Sequence, residues 1–165
     1  MPATYDPITT QTLGSSAATV TFSSIPQTYT DLVLVLNATS SSAANSYVRL
    51  NSDSGTNYSW TALYGDGSTA GSDRASNTAN GVLMDYYGYP TTTNPNATIM
   101  QFMNYSNTTT FKTVLSRANQ ASSGADVIIS MWRSTSAITS LTLRFTGSQT
   151  WSTGSTFSLY GIKSA

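Results

Sequence analysis

Along most of the chain apolar side chains recur at every second position in short stretches, the period of a β-strand and not of a helix. Thr19-Val20-Thr21-Phe22 puts Val20 and Phe22 on one face, and Pro26, which cannot donate to a sheet ladder, closes the segment. Asp31-Leu32-Val33-Leu34-Val35-Leu36-Asn37 is apolar on both faces, which predicts a central strand, since an exposed sheet face forces polar alternation. Tyr47-Val48-Arg49-Leu50 alternates, turns at residues 51–55, and leads into a stretch where Tyr58, Trp60, Ala62 and Tyr64 share a face; the pair reads as a hairpin.

Residues 65–81 carry no large apolar side chain and read as a long surface excursion, a candidate contact region, with a helix conceivable only at 70–79. Strand character resumes in Val82-Leu83-Met84-Asp85-Tyr86-Tyr87, and a second irregular excursion with two prolines runs from Gly88 to Asn96. Residues 97–105, 110–117, 126–133, 138–145 and 156–162 then follow as strands divided by short Asn, Ser and Gly turns. About ten strands joined by hairpins predict an all-β protein: one antiparallel, jelly-roll-like β-sandwich over residues 1–165, with little or no helix. Residues 1–13 are polar apart from a few apolar positions such as Tyr5 and Ile8. They read either as an N-terminal arm anchored on a neighbour by these two residues or as a plain first strand.

Composition sharpens this picture. Ser and Thr make up 55 of the 165 residues, Thr suiting strands and Ser turns, while Glu is absent and Lys occurs twice, so strong helix formers are scarce. Disorder predicts few aromatics and high net charge, yet 18 residues are aromatic and seven basic side chains balance seven acidic ones. Charged residues are only 8% of the chain and the basic ones are scattered singly, which excludes a nucleic-acid partner bound through phosphates. No apolar run approaches the roughly 18 residues of a membrane span, and the start lacks the basic and apolar regions of an export signal.

The lack of His and Cys excludes Ser-His-Asp and Cys-His relays, the usual zinc ligand sets and disulfides, so no enzyme activity, metal or cofactor is expected. Paired carboxylates for glycoside hydrolysis remain, but most of the seven Asp read as turn residues whose side chains cap local backbone, Asp53, Asp66 and Asp73 among them. Asn51-Ser-Asp-Ser-Gly55-Thr-Asn57 offers oxygen ligands at alternating positions without the closing Glu of a calcium loop, and reads as a turn. Among the aromatics, Trp60, Trp132 and Trp151 are expected to fill the core or cover its edge, whereas Tyr86, Tyr87 and Tyr89, beside Gly88 and Pro90, are candidates for a protein interface or a sugar platform.

The C-terminal run Gly154-Ser-Thr-Phe-Ser-Leu-Tyr-Gly-Ile-Lys163 resembles a recurrent ending of small structural proteins from tailed bacteriophages, including those of cyanobacterial hosts. Phe22-Ser-Ser-Ile-Pro26, Tyr29-Thr-Asp-Leu-Val33, and Asn51-Ser-Asp-Ser-Gly55 followed by Tyr58-Ser-Trp60 are similar to the same group. The resemblance implies a virion protein made in the host cytoplasm and carried on the capsid exterior. It implies a capsid cement (decoration) protein, often trimeric, whose partners are the major capsid protein and further copies of itself. The alternative within the same group is a tail or fibre module that binds a host receptor or surface glycan. The group brings no catalytic motif.

Overall fold

The computed structural model describes residues 4–163, so Met1 to Ala3 of the expected arm and the last two residues of the expected domain lie outside the described residues. Twelve strands form two antiparallel sheets, with no helix among the described residues. The first four strands are β1 (Tyr5–Thr12), β2 (Thr19–Phe22), β3 (Asp31–Ala38) and β4 (Ser46–Leu50). Then come β5 (Tyr58–Gly65), β6 (Ala70–Thr78), β7 (Val82–Leu83) and β8 (Asn96–Met103). The last four are β9 (Lys112–Gln120), β10 (Gly124–Trp132), β11 (Leu141–Phe145) and β12 (Thr156–Ile162).

The sheet orders are β1-β12-β3-β8-β9-β10-β5-β6 and β2-β11-β4-β7. Eight of these strands pair as one long hairpin rolled up: β1 with β12, β2 with β11, β3 with β8 and β4 with β7. Rolling sets β12 beside β3 and β11 beside β4, which is the jelly roll expected from the sequence. The remaining strands are two inserted hairpins, β5–β6 between β4 and β7, and β9–β10 between β8 and β11. They join to each other through β10 and β5 and extend the large sheet beyond β8 as a wing.

One core fills the jelly roll. Leu32, Leu34 and Leu36 of β3, Met100 and Phe102 of β8 and Phe157 and Leu159 of β12 meet Val20, Phe22, Val48, Leu50, Leu141 and Leu143 of the small sheet. Trp151 is fully buried in it, its ring 4.4 Å from that of Phe145 and 5.2 Å from that of Phe157. Tyr29, packed against this core, meets the C-terminal strand. A Cβ at Gly161 would lie 2.3 Å from the Tyr29 ring, so only glycine lets that ring lie flat on β12. Lys163 follows, 2.5 Å from Asp6 and 5.6 Å above the same Tyr29 ring.

Of the two readings of the N-terminus, the plain first strand holds: residues 5–12 are strand β1, paired along its length with β12 apart from a bulge at Ile8. Three expectations change. The stretch at 70–79 is the edge strand β6 and not a helix; it is polar on both faces because one edge and most of both faces meet solvent. Strands β4 and β5 do not form a hairpin, because the chain crosses between sheets at Asn51 and Ser52, both at positive φ. Asp53 fixes that crossing: its carboxylate accepts from the Gly55 backbone N–H, from Asn57 Nδ2 and from Trp132 Nε1, at 2.8, 2.9 and 2.6 Å. Finally, β3 is central, third of eight, but no second sheet lies on its outer face: Val35 there is exposed, while Val33 is buried.

Candidate functional site

The wing is the part of the molecule that a jelly roll does not require, and its two faces differ. Its inner face extends past the small sheet and is closed by the loop after β7. In sequence this loop reads as a continued strand; in the structure it leaves the ladder at Met84 because its donors turn onto the wing. The N–H groups of Tyr86, Tyr87 and Gly88 all point at Asp126 Oδ2 on β10, at 2.9, 2.8 and 2.8 Å. Ser116 of β9 donates to the Met84 carbonyl at 2.5 Å. Gly88 lies so close to β9 that a Cβ would stand 2.7 Å from the backbone of Ala118 and Asn119.

Behind this contact sits a second carboxylate. Asp85 is fully buried, and accepts from the Ser46 N–H at 3.0 Å, from the Ser46 hydroxyl, and from Asn96 Nδ2 at 3.3 Å. Burial pushes its carboxyl up to about 8, with the neighbouring Asp126 charge adding to the rise and the Ser46 hydrogen bonds opposing it. Burial also raises Asp126, against the three N–H groups that favour its ionised form. The two aspartates are therefore interior fasteners of the loop, and neither lies in an open cleft. An Asp inside the apolar run Val82-Leu83-Met84 was the sequence signal for the first of them.

The tyrosines of the loop pack over the end of the wing. Tyr87 stacks on Tyr64 with ring centroids 4.4 Å apart, and Tyr86 lies 5.0 Å from Tyr64 and 5.7 Å from Trp60. The Tyr86 hydroxyl donates to Asp73 on β6 at 2.5 Å, which raises the phenol to about 12 and lowers the Asp73 carboxyl. Tyr86, Tyr87 and Tyr89 are each half-buried. Tyr5 and Ile8 lie at the opposite edge of the large sheet, so the five candidate interface residues fall into two groups. Ile8 packs against the core, while Tyr5 is 57% exposed. Trp132 and Trp151 are core residues, whereas Trp60 is only half-buried.

The outer face of the large sheet is the feature that sequence reasoning missed. Cross-strand register aligns one row as Val33, Gln101, Leu115, Ile129 and Thr61, and the next as Val35, Ile99, Arg117, Val127 and Leu63. Met103 and Met131 flank Thr113 in a third row. Leu63 is 60% exposed and Ile129 58%, with Val127, Met131, Met103, Ile99 and Val35 also open to solvent. The face is hollowed in two places. A depression of about 730 Å³ lies over β10, β5 and β6, lined by Ile129, Met131, Thr61, Arg74 and their neighbours. A smaller one of about 240 Å³ lies between Tyr5, Val33, Ile99, Leu115 and Arg117. Alternation on β10 placed Val127, Ile129 and Met131 together in the sequence, but only the pairing of two distant hairpins shows that they join Leu63.

No known protein-family model matches this chain, and no curated protein matches it. The geometry of the wing is thus the main guide to what the molecule does.

Proposed function

We propose that the protein is a structural subunit of a tailed-phage particle: a capsid cement protein that, as a trimer, binds and stabilises the shell lattice from outside, by buried area and without chemistry. The observation that carries this reading is the outer face of the large sheet. Two hairpins added to a complete jelly roll build a broad, apolar platform with almost no charge, and such a surface on a folded protein is made to be covered by protein. The resemblance of the C-terminal run and of the Tyr29 segment to small virion proteins supplies the setting. A neutral, hydroxyl-rich exterior suits a particle surface, since it avoids non-specific electrostatic association. A subunit that binds the assembled shell and not its alternatives stabilises that shell by mass action.

Copy number in purified particles tests the reading. A ratio to the major shell protein of order one supports cement, and addition of the chain to shells that lack it then raises the temperature at which they open. A handful of copies per particle transfers the protein to the tail or fibre, and absence from the particle refutes both. The half-exposed Tyr64, Tyr86 and Tyr87 rings beside Asp73 are what favours the tail reading, because stacked aromatics with an adjacent carboxylate suit a sugar. That reading requires glycan affinity that Tyr86→Ala abolishes. Trp151, sealed in the core, takes no part in it.

A further inference from the structure

We infer that the outer face of the large sheet, from β3 across to β5, is where copies of this chain pack against one another. The inference rests on reading that face as a permanent protein contact, and does not require the particle role.

The first argument is pattern. Residues on the two faces of a strand alternate, and a solvated face is normally polar, yet β3, β8 and β10 carry apolar side chains on both faces. The small sheet and the loop after β7 cover the inner faces, and among the described residues nothing covers the outer ones. A sheet is covered best by another sheet, face to face at about 10 Å, and each further copy of the chain presents one of matching width.

The second argument is area. Five strands spaced about 4.8 Å apart, with about eight residues rising roughly 3.3 Å each, span on the order of 600 Å² in plan. The flanking strands β12, β1 and β6 bring the plan to roughly 1,000 Å² and supply a rim of Tyr160, Ser158, Thr10 and Ser72. A stable complex takes about 800 Å² from each partner, as an apolar centre within a polar rim.

The third argument is composition and charge. Interfaces are enriched in Met and Arg and depleted in Lys, Glu and Asp relative to ordinary surface, and those between identical subunits are the more apolar. The centre of this face holds Met103, Met131 and Arg117 among Val, Ile and Leu, with no Lys and no acidic residue. A surface of that kind offers an oppositely charged partner little to recognise, and a second copy can pack on it provided that Arg117 and Arg74 sit offset from their counterparts.

Sedimentation equilibrium of the full chain, from low concentration to about 100 µM, is the first measurement. The expected mass is a small multiple of 17.5 kDa. Ile129→Asp, a change at an exposed position, should return the mass to one chain while the far-ultraviolet dichroism stays that of the wild type. Thr21→Asp, on the outer face of the small sheet, should leave the oligomer intact. Because the chain has no cysteine, Thr61→Cys provides a unique thiol on the face. Its alkylation should be at least about tenfold slower in the oligomer than when combined with Ile129→Asp. A single-chain mass at the highest concentration overturns the inference. So does an oligomer whose mass and Thr61→Cys reactivity do not respond to Ile129→Asp. A monomer that still binds shells would refute this inference and the trimer with it, and leave shell binding standing; an oligomer that binds no shell would uphold this inference and refute the cement reading.

Discussion

Replacing Asp85 by asparagine should remove most of the pH dependence of this protein's stability between pH 5 and 8. The chain has no His, Glu or Cys, so within that window ordinary side chains of this composition do not titrate, and the background is quiet. Asp85 is the exception, because burial lifts its carboxyl to about 8 from an ordinary value near 3.9. Its folded value is raised, so its contribution to stability is complete below about pH 4, where both states are protonated, and is lost as the pH climbs through about 8. Between those limits folding takes up one proton, and stability falls by about 1.4 kcal/mol per pH unit. From pH 5 to 8 this amounts to roughly 4 kcal/mol, or a melting temperature lower by about 10 °C for a domain of this size.

The Asp85→Asn side chain would keep the hydrogen bond from the Ser46 N–H through its carbonyl oxygen, but would turn an N–H group toward Asn96. The variant is therefore less stable than the wild type at pH 5, and the gap narrows toward pH 8. Asp126, also raised by burial, contributes a slope of the same sign that persists in the variant. Urea unfolding at pH 5, 6, 7 and 8 measures both lines. Parallel lines for wild type and variant, or a wild-type line flat across the window, would refute the argument.

Three further outcomes follow from the packing. Gly88→Ala forces a methyl group against the β9 backbone and should lift the loop after β7, at a cost of about 1–3 kcal/mol, with loss of the near-ultraviolet dichroism of the Tyr64–Tyr87 stack. Trp151→Ala should cost about 3–5 kcal/mol in chemical denaturation, whereas Trp151→Phe should cost less, since the buried indole N–H has no hydrogen-bond partner to lose. Tyr86→Phe should let the Asp73 carboxyl rise toward its ordinary range in a carbon-detected NMR titration; an unchanged Asp73 midpoint would show that the Tyr86 hydroxyl does not hold it down.

The jelly roll was legible wherever one face of a strand was buried. Thr19–Phe22 and Thr156–Ile162 were bounded correctly from alternation alone, because each has one face in the core. Strand β6 was invisible for the complementary reason: an edge strand with little buried on either side leaves no period in the sequence. The supposed hairpin of β4 and β5 failed because alternation reports which side chains are buried and not which sheet buries them. Asp126 offered no warning of its own, since the groups that bind its Oδ2 come from residues 86–88, some forty positions away in the chain. The outer face misled differently. Apolar residues on both sides of β3 indicated a covered strand correctly placed near the middle of a sheet, but one chain supplies only one of the covers.

The seam between β10 and β5 has a consequence for how this molecule can vary. The two inserted hairpins leave the jelly roll at separate points of the chain and are joined mainly there, with further ties through the loop after β7 and from Arg133 to Asn77 of β6. Deleting β9–β10 alone would strand β5–β6 with no neighbour to pair, and deleting β5–β6 alone would expose β10 as an apolar edge. Relatives of this fold should therefore carry both hairpins or neither, and a minimal eight-stranded version should be reached by excising the two together.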